Sequence, residues 1–299
     1  MQKIFLVLFL SVFAFADETA LEKPKLQCQQ YESTHLQKKV RYCTYRSRPE
    51  EKQDGEIVLY FFHGMMGDAE SAEPYLAMID KLATEENFPA VTLISFDTSE
   101  QSFFSDYEGK MTGPYAYETW FLTEFVPLME STYPICHERH CRGTIGLSMG
   151  GLGAMKTALK RADLFAATAV SCPALGPFSI FESDEKWDKY FGRHPIGKLI
   201  GSQLLASVRK TFPTEEIFAA NNPVDLVEDF ADAQDFPALY FQVGGKDEFG
   251  FQEGAEVLKQ TLEQRGFTYQ YDFIPDATHS INQTHGIDAL RFLAKNLRP

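Results

Sequence analysis

The pentapeptide Gly146-Leu147-Ser148-Met149-Gly150 lies between a short apolar run, residues 142–147, and an amphipathic stretch, residues 151–161, and it constrains the fold more than any other segment. The run has strand character and the stretch has helical spacing, so the chain must turn sharply from strand to helix at the serine. In such a turn the serine takes up a strained backbone conformation that lifts its hydroxyl clear of the sheet. A side chain two positions before or after it would collide with the crossing backbone, which gives Gly146 and Gly150 a steric reason.

The same alternation runs along most of the chain. Strands are expected over residues 55–62, 90–96, 142–147, 166–171, 238–243 and 269–274, and helices over 72–86, 117–133, 151–161, 253–265 and 287–297. Alternating strands and helices imply parallel strands joined by right-handed crossovers, hence a doubly wound α/β sheet. Two features stand outside the rhythm. Residues 27–34 and 39–45 read as an N-terminal antiparallel hairpin, and residues 173–236 carry Pro173, Pro177, Pro195, Pro213 and Pro223 with short helical patterns and no clear strand. The second segment reads as an insertion over the edge of the sheet where ligands bind, beyond the carboxyl ends of the strands.

Lys3, the apolar residues 4–14 and Ala14-Phe15-Ala16 have the form of a cleavable export signal over residues 1–16, leaving 17–299 as one domain. No later segment is apolar enough to span a bilayer, so the expected location is secreted or periplasmic. Loss of Lys3 takes the formal charge from −14 to −15, a surface that repels nucleic acid and anionic lipid. Five cysteines in an exported chain suggest two disulfides and one leftover thiol. Cys28 and Cys43 lie on the two hairpin strands, Cys136 and Cys141 bracket a short loop, and Cys172 is left as a buried free thiol at the end of a core strand.

A serine at its ordinary pKa is a poor nucleophile, so Ser148 needs a histidine to take its proton and an acid to orient that histidine. His279 follows the strand at 269–274 through a short loop, where a base can hang over the sheet edge; His285 is the alternative. The acid is expected at the end of the strand at 238–243, where Gly244-Gly245-Lys246-Asp247 favours Asp247, with Glu248 and Asp276 as alternatives. The backbone N–H groups of Met149 and of Met65, after His63-Gly64, are the expected oxyanion donors. Met66, Phe178, Phe181, Trp187, Tyr190 and Phe191 are candidates for the substrate pocket, the other reading being that the aromatic residues only seal the insertion to the body. The aromatic content of 14% suits both.

At this point the chain resembles the esterase group of α/β-hydrolases that includes esterase D, feruloyl and acetyl xylan esterases, enterochelin esterases and mycolyltransferases. The matching stretches are Leu59-Tyr60-Phe61-Phe62-His63-Gly64, Tyr117-Glu118-Thr119-Trp120-Phe121-Leu122, the extended elbow from Gly146 to Ala154, Gly244 to Asp247, and the His279 loop, covering nearly all of the chain after residue 39. The resemblance implies an α/β-hydrolase fold, Ser148, Asp247 and His279 as triad, Met65 and Met149 amides as oxyanion hole, and Glu118 facing the site region; a simple first-turn carboxylate is the alternative for Glu118. Many relatives carry a tryptophan-bearing segment after the histidine, whereas here Ser280-Ile281-Asn282-Gln283 follows, which weakens a carbohydrate-ester assignment. Asn282-Gln283-Thr284 matches a glycosylation pattern, read as a chance match.

The expected activity is that of a secreted serine esterase forming an acyl-enzyme on a small-molecule or glycan ester. An acyltransferase with the same residues and a non-catalytic binding protein on the same fold are the rival readings. No H-E-x-x-H, C-x-x-C or phosphate-loop pattern occurs, so neither a metal nor another cofactor is implied.

Overall fold

The computed structural model describes residues 25–48, 56–85, 88–280 and 283–298; the expected export signal and Asn282 lie outside the described residues. Strands β1 (Gln27–Ser33) and β2 (Lys38–Arg46) form the N-terminal hairpin, followed by β3 (Glu56–Phe62), helix α1 (Glu73–Glu85) and β4 (Ala90–Phe96). Helices α2 (Tyr117–Trp120) and α3 (Val126–Thr132) lead to β5 (Arg142–Leu147), α4 (Met149–Lys160) and β6 (Ala167–Ser171). The insertion is helical: α5 (Asp184–Phe191), α6 (Pro195–Thr211), α7 (Glu215–Ala219) and α8 (Pro223–Glu228). The chain closes with β7 (Ala238–Gly244), α9 (Phe251–Arg265), β8 (Tyr269–Ile274) and α10 (Gln283–Asn296).

The strands form one sheet in the order β1-β2-β4-β3-β5-β6-β7-β8. From β4 to β8 every pairing is parallel, whereas β1 with β2 and β2 with β4 are antiparallel. This is the α/β-hydrolase arrangement with its antiparallel hairpin on one edge. The central strands are buried on both faces, so they read as continuous apolar runs. In β3 the alternation of side chains sends Val58, Tyr60 and Phe62 into the core under α3, α4 and α9, and Ile57, Leu59 and Phe61 into the core under α1 and α10.

Cys28 and Cys43 face each other across the hairpin and are joined by a disulfide, as are Cys136 and Cys141; Cys172 is free and buried. No helix among the described residues is long and apolar enough to cross a membrane.

Local differences from the expected elements have physical reasons. The helix expected over 117–133 is interrupted by a wider π turn at Phe121–Phe125. The wider bond, Val126 N–H to Phe121 O, comes immediately before Pro127, which has no N–H to give to the carbonyl four residues back, and the α ladder resumes in α3. The helix expected from residue 151 starts at Met149, because Ser148 alone forms the link between β5 and α4. In the insertion, Pro195 and Pro223 open α6 and α8, the helix position where a missing N–H costs nothing.

Candidate active site

Ser148 has φ 58° and ψ −122°, a left-handed conformation for a residue with a side chain. It is held there from three sides: its N–H bonds to Ser171 O at 3.0 Å, and its own carbonyl accepts the N–H groups of Leu152 at 3.0 Å and Ala174 at 3.1 Å. The two outer glycines are required by contact. A Cβ on Gly146 would lie 2.3 Å from Gly150 O, and one on Gly150 would lie 2.0 Å from Phe62 O, so the end of β3 and the start of α4 pass as close as backbone can.

His279 hangs from the loop after β8. Its Nε2 is 2.9 Å from Ser148 Oγ and its Nδ1 is 2.7 Å from Asp247 Oδ2. Asp247 is buried, and its other oxygen accepts the Phe249 N–H at 2.9 Å. A buried carboxylate accepting at Nδ1 fixes the tautomer that leaves the Nε2 lone pair facing the serine. Phe249 and Phe251 present their rings edge-on to His279, with centroids 4.6 and 5.4 Å away, and wall the imidazole.

The glycines before Asp247 serve close approach more than turning. Neither has positive φ, but a Cβ on Gly244 would lie 2.3 Å from Ala277 O, in the loop that carries the histidine. The acid turn and the histidine loop are thereby stitched together, with Lys246 N–H donating to Ala277 O at 2.9 Å. The alternative residues do other work. Glu248 accepts the backbone N–H of His279 at 2.8 Å, Asp276 pairs with Lys246 at the surface, and the His285 carbonyl accepts from the Gln242 side chain.

Beside the serine, a Cβ on Gly64 would lie 3.8 Å from Ser148 Cβ, so the loop after β3 reaches the hydroxyl. His63 anchors this loop: it is fully buried, its Nδ1–H donates to Gly64 O at 2.8 Å, and its Nε2 accepts from the Thr98 hydroxyl at 2.9 Å. Burial pushes the His63 imidazole below its ordinary pKa, and the two bonds suit the neutral ring. The N–H of Met66 is spent on Glu100 O and that of Gly67 on Gly64 O, whereas no described residue accepts from Met65. Met149, as the first residue of α4, has an N–H without an intrahelical acceptor.

Of the pocket candidates, Phe178, Trp187, Tyr190 and Phe191 line an apolar cavity of about 70 Å³ beneath the insertion. Leu152, whose N–H bonds Ser148 O, and Phe251, whose ring faces His279, also line it, whereas Ser148 and His279 themselves do not. Phe181 lies outside this cavity with its ring against Phe218, and Met66 is 78% exposed on the loop beside Ser148. Glu118 points elsewhere: it takes the buried Lys156 ammonium at 2.5 Å and that of Lys160. Burial alone would raise the Glu118 pKa, but the two cations hold it below the usual carboxylate range.

One residue near the site was not connected to it by sequence reasoning. The Cys172 sulfur, an Asp247 oxygen and a His279 ring nitrogen all lie within 4.8 Å of one another. Burial, then the Asp247 charge, push the thiol up to about 12. Its place at the carboxyl end of β6, next to the elbow strand, is the signal that could have found it.

The fold and the strand-turn-helix at Ser148 define an α/β-hydrolase. A family model described as "Putative esterase" matches residues 33–292, and the chain belongs to this family. Esterase MT1326 of Mycobacterium tuberculosis is 30% identical over 119 residues, 39% of this chain; the match spans about a quarter of the length of that relative. Among solved structures, a ferulic acid esterase superposes with a TM-score of 0.70 at 21% identity, covering 92% of this chain and 99% of that one. An S-formylglutathione hydrolase from Agrobacterium tumefaciens gives 0.70 at 18% identity, over 92% and 96%. MPT51 of M. tuberculosis gives 0.65 at 10% identity, over 91% and 97%.

Proposed function

We propose that the protein is a secreted serine esterase that cleaves a small carboxylic ester through an acyl-enzyme on Ser148. The observation that carries this reading is the unbroken hydrogen-bond chain from Ser148 Oγ through His279 to Asp247, at 2.9 and 2.7 Å. As Ser148 Oγ attacks the ester carbonyl, its proton passes to His279 Nε2, and buried Asp247 stabilises the imidazolium that forms. Charge developing on the carbonyl oxygen is met by the Met65 and Met149 N–H groups, each such donor being worth about 10² to 10³ in turnover. His279 returns the proton to the leaving alcohol, and water repeats the sequence to release the acid.

The cavity wall of Phe178, Trp187, Tyr190 and Phe191 supports an apolar acyl group as the part of the substrate held under the insertion. A volume of about 70 Å³ favours a short chain. A glycan on the alcohol side is compatible with this reading. The disulfides support export, since such bonds persist in oxidising compartments, and cleavage after Ala16 would give an exported chain beginning at Asp17.

The test is nitrophenol release from an acyl ester series of increasing chain length, with Ser148→Ala beside the wild type. The reading expects short-chain turnover that falls by about 10⁶ in the variant. Equal rates in both proteins would sink it. Adding an alcohol to the same assay separates hydrolysis from acyl transfer, because a transferase gives a new ester and an esterase gives the acid.

A further inference from the structure

We infer that the carboxyl ends of β6 and β7 and the histidine loop form an inhibitory site for a soft divalent cation such as Zn²⁺, with Cys172, Asp247 and His279 as its ligands. The inhibitory part rests on the esterase reading; the binding part does not.

Three donors of the types that zinc prefers, a thiol sulfur, a carboxylate oxygen and an imidazole nitrogen, come from three separate segments and lie mutually within 4.8 Å. Tetrahedral zinc with bonds of about 2.0–2.3 Å to such donors sets them about 3.4–3.7 Å apart, so the cluster is already near the required spacing. Asp247 and His279 Nδ1 must open from 2.7 Å by under an ångström, and the Cys172 sulfur, which lies within 4.8 Å of both, must settle at the same spacing. Cys172 is held in place for this role by its backbone: φ is 44°, and its N–H donates to Gln242 O at 2.8 Å. Glu248 adds negative charge beside the site, where it accepts the His279 N–H, and Lys246 is drawn outward to Asp276. Three ligands leave the fourth position for water, and the partly exposed edge of His279 is the way in.

Cys172 gives its thiol proton to solvent and binds as thiolate, and Asp247 binds as carboxylate, so the cation's charge is neutralised. The His279 Nδ1 proton is displaced by the metal, and the neutral ring then carries its proton on Nε2. That N–H points at Ser148 Oγ, where the mechanism needs a lone pair, so the metal-bound enzyme has no base.

The experiment titrates the full chain with Zn²⁺ and Cd²⁺, using turnover of a short nitrophenyl ester as one readout and the thiolate-to-cadmium ultraviolet absorption as the other. Wild type is expected to lose turnover reversibly, with recovery on EDTA, and to develop the absorption band. Cys172→Ala and Cys172→Ser, each compared with its own metal-free rate, are expected to need at least about tenfold more Zn²⁺ and to show no band. The Ser148→Ala protein, inactive in turnover, should still give the band, which keeps metal binding separate from the esterase reading. Absence of the band in folded wild type, or equal zinc sensitivity in wild type and both cysteine variants, overturns the inference.

Discussion

The carboxyl edge of the central strands and the helical insertion above it are held by different forces. At the edge, backbone meets backbone: the end of β3 against Gly150, Ala277 against Gly244, and Ser148 bonded to Ser171, Leu152 and Ala174. In the insertion, side chain meets side chain. Trp187 stacks on Phe191 with centroids 5.1 Å apart and Phe178 tilts against Trp187 at 4.5 Å; the layer is moored to the body by Lys156, which bonds Glu118 of α2 and Asn221 of the insertion, by the Tyr190 hydroxyl on Gly250 O and by the Ile196 N–H on Glu248 O. Geometry at the edge is therefore set to fractions of an ångström by steric necessity, whereas the insertion is set mainly by side-chain packing, with the buried Lys156–Glu118 pair and a few hydrogen bonds to the body. Changes of functional groups at the edge should cost rate and little stability, and changes in the insertion should cost stability or specificity and little rate on a small ester.

The sharpest way to break that contrast is Asp247→Asn. The amide keeps the shape but reverses the hydrogen bond to Nδ1, so kcat is expected to fall by about 10⁴ with a nearly unchanged melting temperature. A variant that melts early while keeping its rate would put Asp247 among structural residues.

Next in size is Glu118→Gln, which leaves the Lys156 ammonium buried beside a neutral amide. Loss of one partner of a buried pair costs about 3–5 kcal/mol, read by denaturant unfolding, and replacing both residues by apolar ones recovers most of it. Turnover of a short ester by the folded variant should match wild type. The pair also predicts a pH slope. The Glu118 pKa is lowered by folding, so its stabilisation is full above the ordinary carboxylate range and is lost as pH falls through the depressed folded value. Urea unfolding across mildly acid pH should show this slope in wild type and lose it in Glu118→Gln.

The smallest expected effect is Phe178→Ala, which enlarges the cavity at a cost of about 1–3 kcal/mol. The acyl-length optimum should move to longer chains. An unmoved optimum would assign the ring to sealing alone.

The difference between the two regions also explains what could be read without the structure. The elbow, the strand ends and the order of Ser148, Asp247 and His279 are local: glycine positions and apolar runs state them, and Cys28 with Cys43 follows from the hairpin. What Gly244 does was less legible, because its neighbour Ala277 is thirty-three residues away and only the β7-β8 pairing brings them together. Lys156 was hidden for the same reason. A lysine on an amphipathic helix reads as solvated until the tertiary contact with Glu118 and Asn221 buries it. Phe178 and Phe181, three residues apart and alike in type, part company only because the path of the insertion turns one into the cavity and the other against Phe218. Cys172 was legible as a buried thiol but not as a neighbour of Asp247, since that needs the register of β6 on β7.

The central claim, that Ser148 carries the acyl group during turnover, is tested most directly by intact-protein and peptide mass spectrometry after rapid acid quench with a short nitrophenyl ester. A single acyl adduct is expected on the peptide containing Ser148 in wild type and none in Ser148→Ala. Turnover in wild type with the adduct on another residue, or an adduct unchanged in the variant, would contradict it.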